Sequence, residues 1–338
     1  MRFFASITQG IKMKLPHHLT TSLRHLVPTS PRPHITTSFR PYITTSPRPH
    51  ITTSLRHLVI PILALFFTAS QAQQSLIWEI SGNGLTKKSY LMGTLKFIGE
   101  KEFYMPPKAS ELIKQAEIFA IEDEVDHHAQ HELNTALHFP KGQTLANVMS
   151  PEEYKQVKDT FQKEFGINSA DFDKKYSHIK PLPLSIIMTR LSLGEKVKFY
   201  DIELLLIAKK HDVDAYSLEP IEREAEALNA FSIEEQTKAL LHSVNNFPAQ
   251  KEEFRKLMAD YRAANLEAVF DYTLHPLENN PRFIEEFYSK RNAEWLPKIE
   301  KMMHDDASFI ALGISHLEGE KGILKLLEGK GYTLTQVK

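Results

Sequence analysis

Short apolar runs with the length of β-strands lie near both ends of the chain. Residues 76–80 and 89–95 flank a Ser-Gly-Asn-Gly segment, a pattern that predicts a β-hairpin. Residues 118–121, 308–314 and 332–337 are further strand-like runs. Strands from both ends must therefore meet in one sheet. This predicts an α/β or α+β domain with a central mixed sheet and flanking helices.

The middle of the chain, about residues 128–302, has mainly helical periodicity. Ser150 followed by Pro151 and Glu153 is typical of a helix start, and Gly166 is typical of the helix end. Residues 214–218 are an exception, since they are predicted to form a strand that returns to the sheet. The middle is therefore predicted to be a large helical insertion between the two Gly-containing strand ends of the sheet.

The first 57 residues differ in composition from the rest. Residues 20–54 repeat with a period of eight and are rich in Pro, Thr, Ser and Arg, so residues 1–57 are predicted to be disordered. A basic arm that touches acidic lipid or nucleic acid is one interpretation. A repeat without any structural role is favoured, because the positive charges are widely spaced.

An apolar run at residues 58–69 follows this basic segment. It is too short to span a bilayer, which takes about 20 residues. With Arg56 before it and Ser70 and Ala72 after it, residues 58–72 resemble a secretory signal peptide. Residues 75–338 are therefore predicted to be an exported domain, periplasmic or secreted. A buried element of the domain and an uncleaved membrane tether are the alternatives.

Charge and cysteine content exclude several classes of function. The first 74 residues carry eight Lys and Arg and no acid, so the remainder holds 33 basic against 42 acidic residues. An acidic domain of this kind is unsuited to binding nucleic acid. The chain has no Cys, which excludes thiol nucleophiles, disulfides and thiolate metal sites. The sequence also lacks a P-loop, a dinucleotide-binding glycine motif and a Gly-x-Ser-x-Gly elbow.

Polar residues follow four of the predicted strands. In Gly93-Thr-Leu-Lys96 and Gly313-Ile-Ser-His316, glycine permits a bend or a close backbone approach, and the third residue on reaches the carboxyl end of the strand. Two other strands deliver carboxylates to the same edge. One ends in Glu122, Asp123 and Glu124, and the other in Glu219, followed by Glu222. Such a cluster can bind a divalent metal or act as acid and base. Helix capping and pairing with Lys or Arg are the simpler interpretation.

The chain from about Leu76 to Val337 resembles the TraB/GumN family, which includes the TIKI proteases. The stretches that carry the resemblance are Leu76–Ile80, Ser89–Leu95, Pro106-Pro107, Ile121-Glu122, Gly142–Leu145 before Ser150–Tyr154, Asp201, Leu218-Glu219, Arg291-Asn292-x-x-Trp295-x-x-x-Ile299, and Gly313–His316 with Gly319 and Gly322. The resemblance implies a fold with two Gly-x-x-His motifs on strands of one sheet. For the TIKI branch it implies a metal-dependent peptidase.

By this resemblance His316 and Glu122 are expected to be catalytic and to bind a divalent metal such as Mn, Co or Zn. Glu219, Glu222 and Asp201 are expected to support the site or contact a peptide or small-molecule substrate, as are three residues of one helix, Arg291, Asn292 and Trp295. A helix cap or core anchor is the simpler interpretation for these last three.

The first motif departs from the family pattern, because Lys96 stands where the family has His. A protonated lysine has no lone pair to give to a metal. We expect Lys96 to form an ion pair among Glu122, Glu219 and His316, although a buried lysine of lowered pKa can also act as a base. Two functions follow. One is a metal-dependent, peptidase-like hydrolase; the other is an inactive binding or scavenging domain of the same fold.

A second histidine group, His127, His128 and His131 with Glu132, places two imidazoles four residues apart on a predicted helix. This spacing can bind a metal, but the His-Glu-x-x-His order is absent and the surroundings are polar. A solvated helix face is therefore the favoured interpretation.

Overall fold

The computed structural model describes residues 75–194, 196–272 and 280–337, apart from the side chains at positions 127, 128 and 130. The predicted octad repeats at 1–57 and the predicted signal peptide at 58–72 lie outside these residues. Among the helices of the described ranges, none has both the length and the apolar character needed to cross a bilayer.

A six-stranded mixed sheet forms the centre, in the order β6-β4-β7-β2-β1-β8. A separate two-stranded sheet pairs β3 with β5. The strands are β1 Ile77–Gly82, β2 Ser89–Thr94, β3 Ile98–Gly99, β4 Ile118–Asp123, β5 Val197–Lys198, β6 Asp214–Glu219, β7 Ser308–Gly313 and β8 Tyr332–Gln336. The predicted mixed sheet is confirmed, including the strand at 214–219 that returns from the helical middle.

Four neighbouring strands of this sheet, β6, β4, β7 and β2, run parallel, so their carboxyl ends lie at one edge. Their register brings Thr94 opposite Gly313 and Asp123 opposite Glu219. Strand β1 pairs antiparallel with both β2 and β8 and completes the sheet. Open sheets place ligands at this carboxyl edge.

The predicted hairpin between β1 and β2 is present. Gly82, Asn83 and Gly84 have φ values of 83°, 43° and 78°, which belong to the left-handed region that glycine and asparagine tolerate best. The Ser-Gly-Asn-Gly segment is thus the local cause of this reversal.

Helices cover both faces of the sheet and make up most of the middle of the chain. They are α1 Ala109–Gln115, α2 His127–Leu137, α3 Pro151–Phe165, α4 Ser169–Lys175, α5 Pro181–Leu191, α6 Tyr200–Lys210, α7 Ile221–Asn229, α8 Ile233–Arg262, α9 Leu266–Asp271, α10 Pro281–Phe283, α11 Lys290–Asp305 and α12 Ile323–Gly329. Helix α3 begins with the predicted capping box of Ser150 and Glu153 and ends at Gly166 in the left-handed region.

Two of these helices are irregular close to the site. Helix α8 bends at Asn246, whose φ of −113° is non-helical, two residues before Pro248. Proline causes such bends because its ring clashes with the preceding turn. Helix α10 passes through a π-helical turn, Ile284–Ser289, into α11. Such wide turns are frequent at functional sites, and this one leads directly to Arg291.

The interior consists of one large core around the sheet and a second apolar cluster among the helices. The large core includes Phe119, Phe309 and Trp295, all fully buried. The second cluster, here called the helical cluster, contains Phe161 and Phe172 and joins helices α3 to α5 and α8. The helical middle therefore has an apolar interior of its own.

Candidate functional site

A cavity of about 310 Å³ lies over the carboxyl ends of the parallel strands. Its polar end contains charged or titratable groups from strands and helices alike. These are Lys96, Glu122, Asp201, Glu224, Arg291 and His316. Its walls are apolar, with Leu182, Leu228, Phe254, Leu257, Phe283 and Phe287 among them. The volume is at the lower end of the range for small-molecule sites, about 300–1,000 Å³.

The glycines that open the two motifs are required for close packing at the strand ends. A Cβ atom on Gly313 would lie 2.8 Å from Oε1 of Glu122, which accepts the Gly313 N–H. A Cβ atom on Gly93 would lie 3.0 Å from side-chain carbons of both Ile314 and Leu317. The backbone approach expected from the two Gly-x-x motifs is therefore present at both.

Arg291 is the most highly connected cation of the site and is only 1% exposed. Its Nε and Nη2 atoms lie 2.9 and 2.7 Å from Oε1 of Glu219. Its Nη2 is also 3.5 Å from Oε2 of Glu122. The indole Nε1 of Trp295 donates to the other oxygen of Glu219 over 2.7 Å. Burial opposes the charge, but Glu122 and Glu219 raise the pKa of Arg291, so its guanidinium stays charged.

His316 is buried, and its neighbours engage both ring nitrogens. The amide nitrogen of Asn292 donates to the carbonyls of His316 and Lys321 over 3.0 and 2.9 Å. The amide oxygen of Asn292 therefore faces Nδ1 of His316 at 2.7 Å, which places the ring proton on Nδ1. Arg291 Nη1 lies 3.3 Å from Nε2 and donates to its lone pair. Burial, Arg291 and Lys96 hold the pKa of His316 well below its ordinary value, so the ring is neutral.

Lys96 forms ion pairs that differ from the predicted ones. Its Nζ lies 2.8 Å from Oδ2 of Asp123 and 3.4 Å from Oε1 of Glu224. Burial opposes the charge, but the surrounding carboxylates, Asp123 first, raise the pKa of Lys96 well above its ordinary value. Glu122, Glu219 and His316 are not its direct partners, because Arg291 lies against all three. The ammonium is therefore permanent at neutral pH.

Two carboxyl groups of the cavity have strongly raised pKa values. Burial raises the pKa of Asp201 to about 7, and the negative charges of Glu122 and Asp123 act in the same direction. Burial and the charge of Asp123 raise the pKa of Glu224 to about 7. Within the described ranges, no hydrogen bond or ion pair holds the Asp201 carboxylate. Both groups therefore gain and lose protons close to neutral pH.

The donor set does not fit a divalent metal. A metal ligand needs a free lone pair, yet Arg291 already donates to Nε2 of His316 and Lys96 carries an ammonium at the other motif. Glu122 accepts the Gly313 N–H with one oxygen and lies near Arg291 with the other. Over the described residues, no three His, Asp or Glu side chains are grouped as metal ligands would be. The metal stays a prediction from the family resemblance.

The predicted site residues fall into two groups. Those that line the cavity are Lys96, Glu122, Asp201, Arg291 and His316. Glu219, Asn292 and Trp295 are buried and hold Arg291 and His316 in place. Glu222 is not among the residues that line the cavity, although it shares the first turn of α7 with Glu224.

Sequence reasoning overlooked Glu224, and it placed Asp123 at the strand end without assigning it to the site. Asp123 follows Glu122 at the end of β4, and Glu224 lies two residues after Glu222. The sequence offered one signal for each, namely its closeness along the chain to a carboxylate that was predicted to belong to the site. In the other histidine group, His131 is exposed, while the side chains of His127 and His128 lie outside the described residues.

Comparison with known protein families gives a match for this chain. The model of the TraB/PrgY/gumN family matches residues 76–336. Searches of curated proteins and of solved structures found no match.

Proposed function

Because the chain belongs to the TraB/PrgY/gumN family, we propose that it is a member that binds a small ligand in its cavity and lacks metal-dependent hydrolytic activity. The observation that carries this proposal is the 2.8 Å ion pair between Lys96 and Asp123. It lies at the position where the resemblance to the family implies a histidine. This is the inactive binding or scavenging domain considered from the sequence.

Metal-dependent hydrolysis needs a cation with an open coordination position that polarises a carbonyl and activates water. Here two positively charged side chains, Lys96 and Arg291, lie among the carboxylates instead. Lys96 neutralises Asp123, and Arg291 neutralises Glu219 and lies beside Glu122. Both remain charged at neutral pH, so a divalent ion would meet strong repulsion from them. This repulsion disfavours metal-dependent, peptidase-like hydrolysis, which is the competing function.

Metal analysis of the full chain tests the proposal. The protein is incubated with Mn²⁺, Co²⁺ or Zn²⁺, separated from free ions by gel filtration, and analysed for bound metal. We expect no stoichiometric metal and the same content in His316→Gln, which removes the ring nitrogens. One ion per chain that disappears in His316→Gln, together with metal-dependent cleavage of an unstructured protein, would contradict the proposal.

A gain-of-binding pair sharpens this test. Lys96→His removes the ammonium and adds a lone pair next to Asp123 and Glu224. We expect it to bind a divalent ion more tightly than Lys96→Gln, which removes the charge without adding a ligand. Equal binding by the two variants would mean that Lys96 does not exclude metal in the way proposed.

We also propose that the domain is exported, with residues 58–72 as its signal peptide. The apolar run and the small residues near Ala72 support this. Mass spectrometry of the chain produced in a secreting host is expected to show loss of about 72 residues. A full-length mass in the membrane fraction would instead favour an uncleaved tether.

A further inference from the structure

The cavity has two chemically different ends. Its helical walls are apolar, and Ile186 is one of the lining residues, at 43% exposed. The end at the sheet edge is lined by ionisable side chains, of which Lys96 is partly open to solvent. A ligand that fills this space needs an apolar body and one polar group, because both surfaces must be covered to exclude water.

Carboxylates outnumber cations at the polar end. The carboxylates come from β4, β6, α6 and α7, and the cations from the end of β2 and from α11. The acidic groups that line the cavity are Glu122, Asp201 and Glu224, with Asp123 and Glu219 outside the lining, and the basic groups are Lys96 and Arg291, with a neutral His316. Arg223 on α7 is committed to Glu294 over 2.9 Å. The protein thus supplies fewer cations than this end of the cavity has acids.

One carboxyl group that lines the cavity receives no donor from the described part of the protein. The Asp201 carboxyl makes no hydrogen bond or ion pair within the described part of the chain. Oδ1 of Asp123 differs, because Asp123 does not line the cavity and this oxygen lies 3.6 Å from Nη2 of Arg291. Acceptors shielded from bulk solvent are normally satisfied by a donor. The donors that fit are those of a cationic ligand.

We propose that the cavity binds an organic monoamine, with its ammonium group at the carboxylates of Asp201 and Glu224 and its apolar body between the helices. This inference rests on the proposed function, since it identifies the ligand class of the same metal-free cavity. An ammonium supplies three donors and a positive charge. A ligand carboxylate would instead meet an excess of negative charge, because Lys96 and Arg291 already have carboxylate partners.

The proton affinity of the two carboxyl groups supports this choice. Burial and the neighbouring carboxylates raise the pKa of Asp201 and of Glu224 to about 7. A bound ammonium favours the ionised forms and lowers both pKa values, so binding near pH 7 releases protons. Binding through apolar contacts alone would release none.

Isothermal titration of the full chain with three eight-carbon probes tests the ligand class. The probes are n-octylammonium, 1-octanol and octanoate, which share one apolar chain and differ in charge. We expect octylammonium to bind at least tenfold more tightly than octanol, and octanoate to bind weakest. Shortening the amine by one methylene is expected to weaken binding roughly fourfold, as for burial in an apolar site.

Isosteric variants locate the ammonium. We expect Asp201→Asn and Glu224→Gln each to weaken octylammonium binding by tenfold or more and to affect octanol binding much less, because octanol carries no charge. Both replacements remove a buried charge, so they are expected to fold. Asp159→Asn, on the exposed face of α3, is the matched control. Titrations at pH 7 in two buffers of different ionisation enthalpy are expected to show proton release in the wild type and less in both variants.

The outcomes separate the two proposals. Tighter binding of octanoate or octanol than of octylammonium, or equal binding by the wild type and both variants, would overturn the amine assignment and leave a metal-free binding site in place. No binding of any probe to metal-free protein also overturns the assignment. A stoichiometric metal held by His316 would overturn the proposed function itself, whichever probe binds.

Discussion

The helical cluster and the network of Arg291 and Glu219 beside the cavity are both buried, but different forces hold them together. In the helical cluster, the Phe161 ring lies 4.8 Å from Phe172 and 5.2 Å from Tyr176, centroid to centroid. In the network beside the cavity, Arg291 and Glu219 are held by charge-assisted hydrogen bonds. Apolar packing does not depend on pH. The stability of the ionic network, in contrast, depends on the presence of each charged partner and on its protonation state. The second kind of interior can recognise a ligand.

Truncation of the helical cluster is expected to have the largest effect. Phe161→Ala leaves a cavity at a fully buried site and removes several ring contacts. It should therefore lower the free energy of unfolding by about 3–5 kcal/mol, towards the upper end of this range. Urea denaturation at pH 5 and pH 8 measures it. The loss should be the same at both pH values, and a strong pH dependence would contradict the contrast between the two interiors.

Removal of the central cation is expected to have a similar effect that varies with pH. Arg291→Met leaves Glu219 and Glu122 without their cation, which should lower the free energy of unfolding by about 3–5 kcal/mol at pH 8. The loss should be smaller at pH 5, because these carboxyl groups, whose pKa values burial already raises, can then take up protons. Equal losses at the two pH values would mean that packing alone explains the role of Arg291.

The pH dependence of the wild type tests the two neutral-range carboxyl groups. A raised pKa means that the folded state binds more protons, so the stability from Asp201 and Glu224 is present below their ordinary pKa and is lost as pH rises through about 7. Between pH 6.5 and 8 the free energy of unfolding should fall by on the order of 1 kcal/mol. His316 acts in the opposite direction, because an unfolded histidine is about half protonated at pH 6.5 whereas the buried ring is neutral, but its effect over this window is only about 0.4 kcal/mol.

The variant Glu224→Gln should flatten this pH profile, whereas the exposed control Glu152→Gln should not change it. Thermal or urea unfolding at four pH values between 6.5 and 8 provides the comparison. A profile that stays as steep in Glu224→Gln as in the wild type would place the titrating group elsewhere.

The smallest expected effect is at the start of α3, in the helical part. Ser150 accepts the Glu153 N–H, and Glu153 accepts the Ser150 N–H. Ser150→Ala removes the first bond and should lower the free energy of unfolding by about 1 kcal/mol. Ser150→Thr keeps a hydroxyl and should lose less. Cavity binding should be unchanged in both, so a change in octylammonium affinity would show that the two regions are coupled.

The sequence predicted most of the elements, because their causes are local. Residues 150–166 carry a capping serine, a proline in the first turn and a terminal glycine, and the helix occupies those bounds. The two-stranded sheet of β3 and β5 escaped prediction, since two residues are too few to show a periodicity. Helix α8 continues through the bend at Asn246 to Arg262, which a local reading of a proline two residues later does not indicate.

By itself the amino-acid sequence determined the six strands of the central sheet, the caps of α3, the acidic character of the domain and the lysine at the first motif. Each depends on residue type or on neighbours a few positions away. Only the tertiary structure decided that Lys96 pairs with Asp123 rather than Glu122, and that Arg291 occupies the lone pair of His316. The contacts of Lys96 and Arg291 join residues up to 169 positions apart, the distance from Glu122 to Arg291 along the chain. They depend on burial and charge, which act through space and leave no periodic mark in the sequence.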